Sequence, residues 1–165
     1  MTPEEFQSLI ETLKDTPRIV SQLTTDLQSA QTTWKPSAEE FSVLENVCHL
    51  ADLEREGYGV RIARLIAEDA PFMQDFNGGR VAKERDYNRQ DFSAALRDFT
   101  GAREEAVSAV RALSTEQLER SGTLEGTGTI TLSRLLEMMR EHDRSHLEEL
   151  RSLRERLSKE SELSA

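Results

Sequence analysis

Long stretches without glycine or proline constrain the fold of this chain more than any other feature. Its 165 residues include 8 Gly and 4 Pro, and most of these lie in a few short segments. Between those segments, apolar side chains recur at the three- to four-residue spacing of an amphipathic helix. The sequence therefore predicts a chain made mainly of long helices.

Four helices are predicted, covering about residues 3–31, 38–69, 90–113 and 131–157. Thr2 is a suitable cap for the first, which Pro17 should kink or split because proline lacks an N–H. Ser37 followed by Glu40 has the form of a capping box and is predicted to open the second helix.

Two connecting segments have a different composition. Residues 70–88 lack helical periodicity and predict a long crossover loop with a short helix around 80–85. Residues 122–131 alternate Gly with Thr, which favours a loop or a small two-stranded ribbon. The predicted fold class is all-α: a four-helix bundle with this crossover between helices 2 and 3 and the short connector before helix 4. We expect one bundle domain over residues 1–157 and a frayed tail over 158–165.

Composition excludes several classes of function. The net charge of -10 and the lack of a basic cluster argue against binding to nucleic acid. No apolar run reaches the ~20 residues needed to span a membrane, and the acidic start of the chain does not resemble a signal peptide. The single cysteine, Cys48, allows no intramolecular disulfide and suits a reducing compartment, so a cytoplasmic protein is expected. Cys48 itself is predicted to be a core residue.

The chain has three histidines, and two of them, His142 and His146, are four residues apart on the fourth predicted helix. Residues at this spacing share one helix face, about 5 to 6 Å apart at Cβ, so two imidazoles could bind one ion. They lie within or at the edge of the apolar stripe, where an unpaired ring would cost ~1 to 3 kcal/mol. Hydrogen bonds to carboxylates from another helix would satisfy the rings equally well.

His49 could be the third ligand because it lies on a different helix. Glu45 and Asp52 share its face, so that alone it reads as a solvated histidine. Taken together, three neutral imidazoles would leave a fourth position open, which is typical of catalytic zinc sites. Imidazole ligands suit zinc, nickel, copper or iron better than magnesium or calcium. Glu45, Asp52 and Asp143 are candidate partners of the ligands or proton carriers.

Two stretches resemble the signature regions of the DinB/YfiT-like superfamily of metal-binding four-helix bundles. They are Trp34–Glu54 (WKPSAEEFSVLENVCHLADLE) and Thr131–Leu150 (TLSRLLEMMREHDRSHLEEL), and their order and spacing agree over nearly the whole chain. In that family a histidine placed like His49 joins a His-x-x-x-His pair placed like His142 and His146.

The resemblance implies a divalent metal, often nickel or zinc, and frequently a homodimer. Characterised relatives include transferases and isomerases that use low-molecular-weight thiols, and many others are described only as metal-dependent hydrolases. Many relatives carry a further His beside the last ligand and a Gln shortly after it. This chain has Leu147 and Glu149 or Leu150 there, which leaves the substrate class open.

The expected function is therefore a metal-dependent enzyme, either a hydrolase or a thiol S-transferase, that acts on a small-molecule substrate. His49, His142 and His146 would hold Zn²⁺ or Ni²⁺, with a low-molecular-weight thiol as a potential cosubstrate. The alternatives are a non-catalytic metal-binding protein of a stress response and a plain helical dimerisation module.

Overall fold

Eight helices and three short strands make up the part of the chain that the structure describes. The structure is a computed structural model that describes the backbone of residues 1–163 and the side chains of residues 1–160. Its helices are α1 (Pro3–Thr24), α2 (Ser29–Thr33), α3 (Val43–Asp52), α4 (Gly59–Ala67), α5 (Gly78–Glu84), α6 (Phe92–Arg111), α7 (Thr115–Leu118) and α8 (Leu132–Leu163). A π-helical segment, Leu53–Tyr58, joins α3 to α4, and a 3₁₀ turn, Tyr87–Arg89, precedes α6.

The four long helical elements form the predicted four-helix bundle. They are α1, the continuous run from α3 through the π segment to α4, α6 and α8, and the most extensive contacts join α3 with α6, α1 with α8 and α1 with α6. Among the described residues, no helix is both long enough and apolar enough to cross a bilayer. The all-α fold class and the crossover before the third long helix are confirmed.

A small sheet closes one end of the bundle. Strands β2 (Ser121–Leu124) and β3 (Gly128–Thr131) form an antiparallel ribbon, one of the two alternatives predicted for this connector. A third strand, β1 (Phe72–Met73), pairs in parallel with β2 and was not predicted, because two residues are too short to show a period. The sheet thereby fixes the start of the crossover.

The predicted bounds of the first helix were wrong. The helix ends at Thr24, and α2 is a separate element. Pro17 lies buried inside α1 and does not split it. Because proline has no N–H, the Leu13 carbonyl lacks its usual partner four residues on; Arg103 Nη1 donates to this oxygen at 2.8 Å instead.

The start of the second long helix was also wrong. It begins at Val43, and its capping box consists of Ser42 and Glu45. The Ser37 hydroxyl accepts a hydrogen bond from Glu40 N at 3.3 Å, but no helix follows. At the other end of the chain, α8 continues past the predicted end at Leu157. The expected tail is therefore helical as far as residue 163, and residues 164–165 lie outside the described part.

The core consists of two apolar clusters, and α8 contributes to both. Its first half, including Leu135 and Met139, packs into one cluster, whereas Leu147 and Leu150 pack into the other. The polar residues 142, 143 and 146 lie between these two groups on α8. The middle of the bundle is thus where α8 turns polar side chains inward.

Candidate metal centre

Three imidazole rings from two helices converge in the middle of the bundle. His49 lies near the end of α3, and His142 and His146 lie one turn apart on α8. The Nε2 atom of His142 is 3.1 Å from Nε2 of His49 and 3.1 Å from Nε2 of His146. The sequence grouped these three residues, and the structure brings them together.

The orientation of His146 is fixed by a side chain that sequence reasoning missed. Asn46 Nδ2 donates to the Ser42 carbonyl at 3.0 Å, so its Oδ1 faces His146 Nδ1 at 2.6 Å. Oδ1 can only accept, and His146 therefore carries its proton on Nδ1. As a result, the lone pair of His146 Nε2 points at the other two rings.

His49 is held by close packing. Its side chain is buried, with the rings of Phe41 and Phe76 at 5.7 and 6.2 Å between centroids. A Cβ at Gly78 would lie 2.3 Å from His49 Cε1. His49 Nδ1 is buried and has no hydrogen-bond partner among the described residues. The expectation of a solvated ring, for His49 taken alone, was wrong.

The surroundings keep two of the rings neutral. Burial, reinforced by the neighbouring His146, lowers the pKa of His49 to about 4. Burial and the other two histidines lower the pKa of His142 to about 2. Neutral imidazole is the form that binds a metal, so no proton has to be displaced from these rings near pH 7.

The arrangement of the three imidazole rings fits a divalent cation. His142 Nε2 carries at most one proton, and His146 Nε2 carries none, so a single hydrogen bond cannot explain both 3.1 Å contacts. Three lone pairs directed at one cation would satisfy both contacts at once. A separation of 3.1 Å is also compatible with nitrogens that each lie ~2.0 to 2.1 Å from a shared ion. Imidazole nitrogens suit zinc, nickel, copper or iron.

The carboxylates suggested as partners of the histidines have other partners. Glu45 accepts from Ser42 N and Lys35, and Asp52 accepts from Tyr87 and Arg85. Neither side chain contacts a histidine of the cluster. Cys48 is a buried core residue, as predicted, and burial raises the pKa of its thiol to about 12.

Asp143 belongs to a buried ion-pair network behind the histidines. Arg103 donates hydrogen bonds to both Asp143 and Glu54, at 2.6 to 2.9 Å, and Thr16 also donates to Asp143 at 2.8 Å. The side chains of Arg103 and Glu54 are each 1% exposed. This network joins α1, the π segment, α6 and α8 directly behind the segment that carries His142 and His146.

A groove leads from His146 to the surface. It has a volume of about 440 Å³, and Phe41, Glu149 and Arg156 are among its lining residues. Glu149 Oε2 is 3.4 Å from His146 Nδ1, and its side chain is 49% exposed. The neighbouring His146 side chain lowers the pKa of Glu149, so this carboxyl is ionised near neutral pH.

Fold and site together define a helical bundle with a candidate metal centre formed by three histidines on two helices. The sequence model of the DinB superfamily matches residues 12–150. The chain therefore belongs to the DinB superfamily, as the resemblance of its two signature stretches implied.

Three proteins from Oceanobacillus iheyensis and Bacillus subtilis are similar to this chain. The chain is 24% identical over 144 residues to the Oceanobacillus iheyensis protein named "Putative metal-dependent hydrolase OB0782", covering 87% of this chain and 83% of that protein. It is 25% identical over 138 residues to the Bacillus subtilis protein YuaE, covering 76% and 84%. The structure of Bacillus subtilis YfiT, described as a probable metal-dependent hydrolase, matches with a TM-score of 0.88 at 21% identity, over 96% of this chain and 90% of YfiT. This match shows the fold.

The substitution Gly78→Ala is expected to displace the His49 ring, because the added methyl would lie 2.3 Å from His49 Cε1. We expect the affinity for Zn²⁺ to fall about 10- to 100-fold, as when the support of a metal ligand is lost. Gly79→Ala is the matched control, since the nearest atom to its Cβ would be 3.9 Å away. Competition with a chromogenic chelator measures the affinities; equal values for the two variants would contradict the packing role of Gly78.

The metal-free protein is expected to lose stability as the pH falls below about 6.5. The folded pKa of His49 is about 4 and that of His142 about 2, so the unfolded chain binds more protons than the folded one in this range. Between about pH 6.5 and 5 the loss should be about 1.5 kcal/mol for each ring. Urea unfolding at both pH values should show a smaller loss for His49→Leu than for the wild type. Equal losses would argue against the lowered pKa of His49.

Proposed function

We propose that this protein is a metal-dependent hydrolase that binds Zn²⁺ or Ni²⁺ through His49, His142 and His146. The observation that carries the proposal is the convergence of three Nε2 atoms, two of them 3.1 Å from the third. The name of the Oceanobacillus relative supports the same class of reaction. Three protein ligands would leave a position for water or substrate, as catalytic sites require.

The residues around the rings have separate roles in this proposal. Asn46 holds His146 in the tautomer whose Nε2 lone pair faces the centre. Phe41 and Phe76 flank His49 and restrict the access of water to the rings. A bound divalent metal would polarise a substrate carbonyl and lower the pKa of a bound water.

Glu149 is the proposed proton acceptor. It lines the groove beside His146, is half-exposed and is ionised near neutral pH because its pKa is lowered. A carboxylate in this position can take a proton from a nucleophile in the groove, directly or through one water. Arg156, in the same groove, donates to Glu40 at 3.2 Å, and within the described part of the chain it forms no ion pair with Glu149.

The experiment combines metal analysis with an activity panel. Protein purified without a histidine tag is analysed for metal, loaded with Zn²⁺ or Ni²⁺ and assayed on ester and amide substrates, with and without a low-molecular-weight thiol. We expect hydrolysis that needs the metal and does not need the thiol. Activity only with the thiol would indicate an S-transferase instead, and a protein that binds no stoichiometric metal would refute the proposal.

The Glu149→Gln variant tests the proton acceptor. It should keep its metal and lose activity about 10²-fold or more, because general-base catalysis contributes on that scale. Glu148→Gln is the matched control. The Glu148 carboxylate is next to Glu149 in the sequence, is exposed on α8, and makes no hydrogen bond to His146 in the described structure. Equal activities of the two variants would remove Glu149 from the mechanism without affecting the metal site.

A further inference from the structure

A second arginine is buried in this protein, and it has few partners. Arg61, in α4, is 6% exposed and makes one hydrogen bond, from Nη2 to the Gln74 carbonyl at 2.9 Å. The nearest carboxylate oxygen, Asp75 Oδ1, is 3.8 Å away on a side chain that is 67% exposed. Arg61 Nε is buried without a hydrogen-bond partner in the described part of the chain. Arg61 therefore uses one of its five N–H donors in hydrogen bonds with the described residues.

Arg103 shows how this fold satisfies a buried guanidinium. Its side chain is 1% exposed and donates five hydrogen bonds to Glu54, Asp143 and the Leu13 carbonyl. Arg61 has no comparable set, and burial lowers the pKa of its guanidinium. Burying a cation without a close counter-charge is unfavourable. An anionic ligand would supply the missing acceptors.

Arg61 lines a cavity between α4 and the crossover. The cavity has a volume of about 480 Å³, and its charged lining residues are three further arginines and three carboxylates: Arg64, Arg80, Arg85, Glu56, Asp75 and Glu84. Arg64 is paired with Glu68, and Arg85 is paired with Glu56 and Asp52. Arg80 lies at the mouth, with its side chain 68% exposed and 3.7 Å from Glu84. Arg61 is thus the poorly neutralised cation inside this cavity, and Arg80 is an exposed cation at its entrance.

The same cavity has an apolar wall. Val60 is 47% exposed and Phe72 is 55% exposed, and these are the exposed large hydrophobic side chains of the described residues. Both line the cavity, together with Phe76. Exposed apolar surface next to a buried cation suits a ligand that carries an apolar group beside its charge.

We propose that this cavity binds a small organic anion, a carboxylate or a phosphate attached to an apolar group, through the Arg61 guanidinium. The planar guanidinium matches the paired oxygens of either anion, and Phe72 and Val60 would contact the apolar group. The proposal does not require a metal at the histidine centre.

The anion site lies close to the histidines. Phe76 lines the cavity, and its ring is 6.2 Å from that of His49. On the other side, Arg61 Cζ is 5.9 Å from the Tyr58 ring, which is 6.0 Å from the His142 ring. One layer of side chains separates the two sites, so binding can be measured with and without metal to distinguish them.

The test uses metal-free full-length protein and three probes at low ionic strength: phenyl phosphate, benzoate and inorganic phosphate. Isothermal titration calorimetry gives the affinities, and a repeat with Zn²⁺-loaded protein shows whether a probe binds to the metal instead. We expect saturable binding of phenyl phosphate or benzoate in the metal-free protein, stronger than that of inorganic phosphate. Whichever aromatic probe binds more tightly identifies the charged group. Binding that appears only after metal loading, or no saturable binding at millimolar concentration, would overturn the proposal.

Two variants test the residues. Arg61→Met keeps an aliphatic side chain of similar length and removes the guanidinium. It should therefore weaken the binding of the aromatic anions about tenfold or more. Phe72→Ala should weaken the aromatic probes and leave inorganic phosphate unchanged. Arg97→Gln, an exposed arginine on α6, is the control for net charge and should bind like the wild type. Unchanged binding by Arg61→Met would refute the proposal.

Thermal melting separates binding from a structural role. If Arg61 is retained for a ligand, removing its buried charge should leave the melting temperature of the ligand-free protein unchanged or higher. Phenyl phosphate should raise the melting temperature of the wild type and not that of Arg61→Met. A large loss of stability in Arg61→Met, with phenyl phosphate still raising its melting temperature, would show that Arg61 serves the fold alone.

Discussion

Alanine in place of His142 is expected to lower the affinity for Zn²⁺ or Ni²⁺ about 10²- to 10³-fold. Its Nε2 atom lies 3.1 Å from Nε2 of His49 and from Nε2 of His146. The substitution removes this central nitrogen and leaves two imidazoles, one on α3 and one on α8. Binding energies of about 10 to 16 kcal/mol for four-ligand zinc sites correspond to about 3 to 4 kcal/mol for each ligand. Competition with a chelator of known affinity measures the change.

This measurement has little background from other sites. The chain contains three histidines and one cysteine, so imidazole and thiol ligands outside the candidate centre are limited to the buried thiol of Cys48. Glu148→Gln controls for weak binding of cations to the acidic surface and should match the wild type. If His142→Ala bound the metal as tightly as this control, the three rings could not be its ligands.

Leucine in place of Arg103 is expected to lower the free energy of unfolding by about 3 to 5 kcal/mol near neutral pH. The substitution leaves Glu54 and Asp143 facing each other, both buried and without the cation that joins them. It also removes the donor to the Leu13 carbonyl, which Pro17 leaves unpaired. Because total stabilities are about 5 to 15 kcal/mol, this loss would be a large fraction of the whole. Urea unfolding of the metal-free protein measures it.

A further variant separates the effect of the unpaired charges on stability from the effect of lost packing. The triple variant Arg103→Leu, Glu54→Gln, Asp143→Asn removes the stranded charges and should recover a substantial part of the lost stability. Burial raises the pKa of Glu54, and without Arg103 this shift should grow, so acidification should reduce the difference between Arg103→Leu and the wild type. A loss below about 1 kcal/mol would mean that the network contributes little to the fold.

Much of the bundle could be predicted because its signals are local and repeated. The third long helix was predicted over 90–113 and is observed as Phe92–Arg111, since caps and a regular apolar spacing mark both ends. Ser114 caps α7, and its hydroxyl accepts a hydrogen bond from Gln117 N. The grouping of His142 and His146 also follows from spacing alone, because residues four apart on a helix must share a face.

The start of α3 could not be decided locally. Ser37 and Ser42 are each followed three residues later by a glutamate, so both fit a capping box. Tertiary structure selects Ser42. This residue is fully buried and donates to Asn88 Oδ1 at 2.6 Å, and Asn88 lies at the far end of the crossover. A contact over 46 residues leaves no trace in a local pattern.

Two supports of the histidines were missed for different reasons. Asn46 lies three residues before His49 and so shares its helix face. This spacing could have marked Asn46, as well as the carboxylates, as a candidate partner of a histidine. Gly78 lies within residues 70–88, which the sequence predicts as a crossover loop. Its close approach to His49 depends on how the crossover packs on α3, which spacing does not reveal.

The π segment between α3 and α4 sets the angle, about the helix axis, between the side chains of α3 and those of α4. Leu53–Tyr58 holds one residue more per turn than an α-helix would, and in an α-helix each residue advances the face by about 100°. Removing one residue from this stretch would rotate Arg61 by about that angle about the axis, away from its present cavity, while His49 stayed in place. These six residues therefore set the direction in which one continuous helical run presents its side chains, so that His49 faces the other two histidines and Arg61 faces the cavity beside α4.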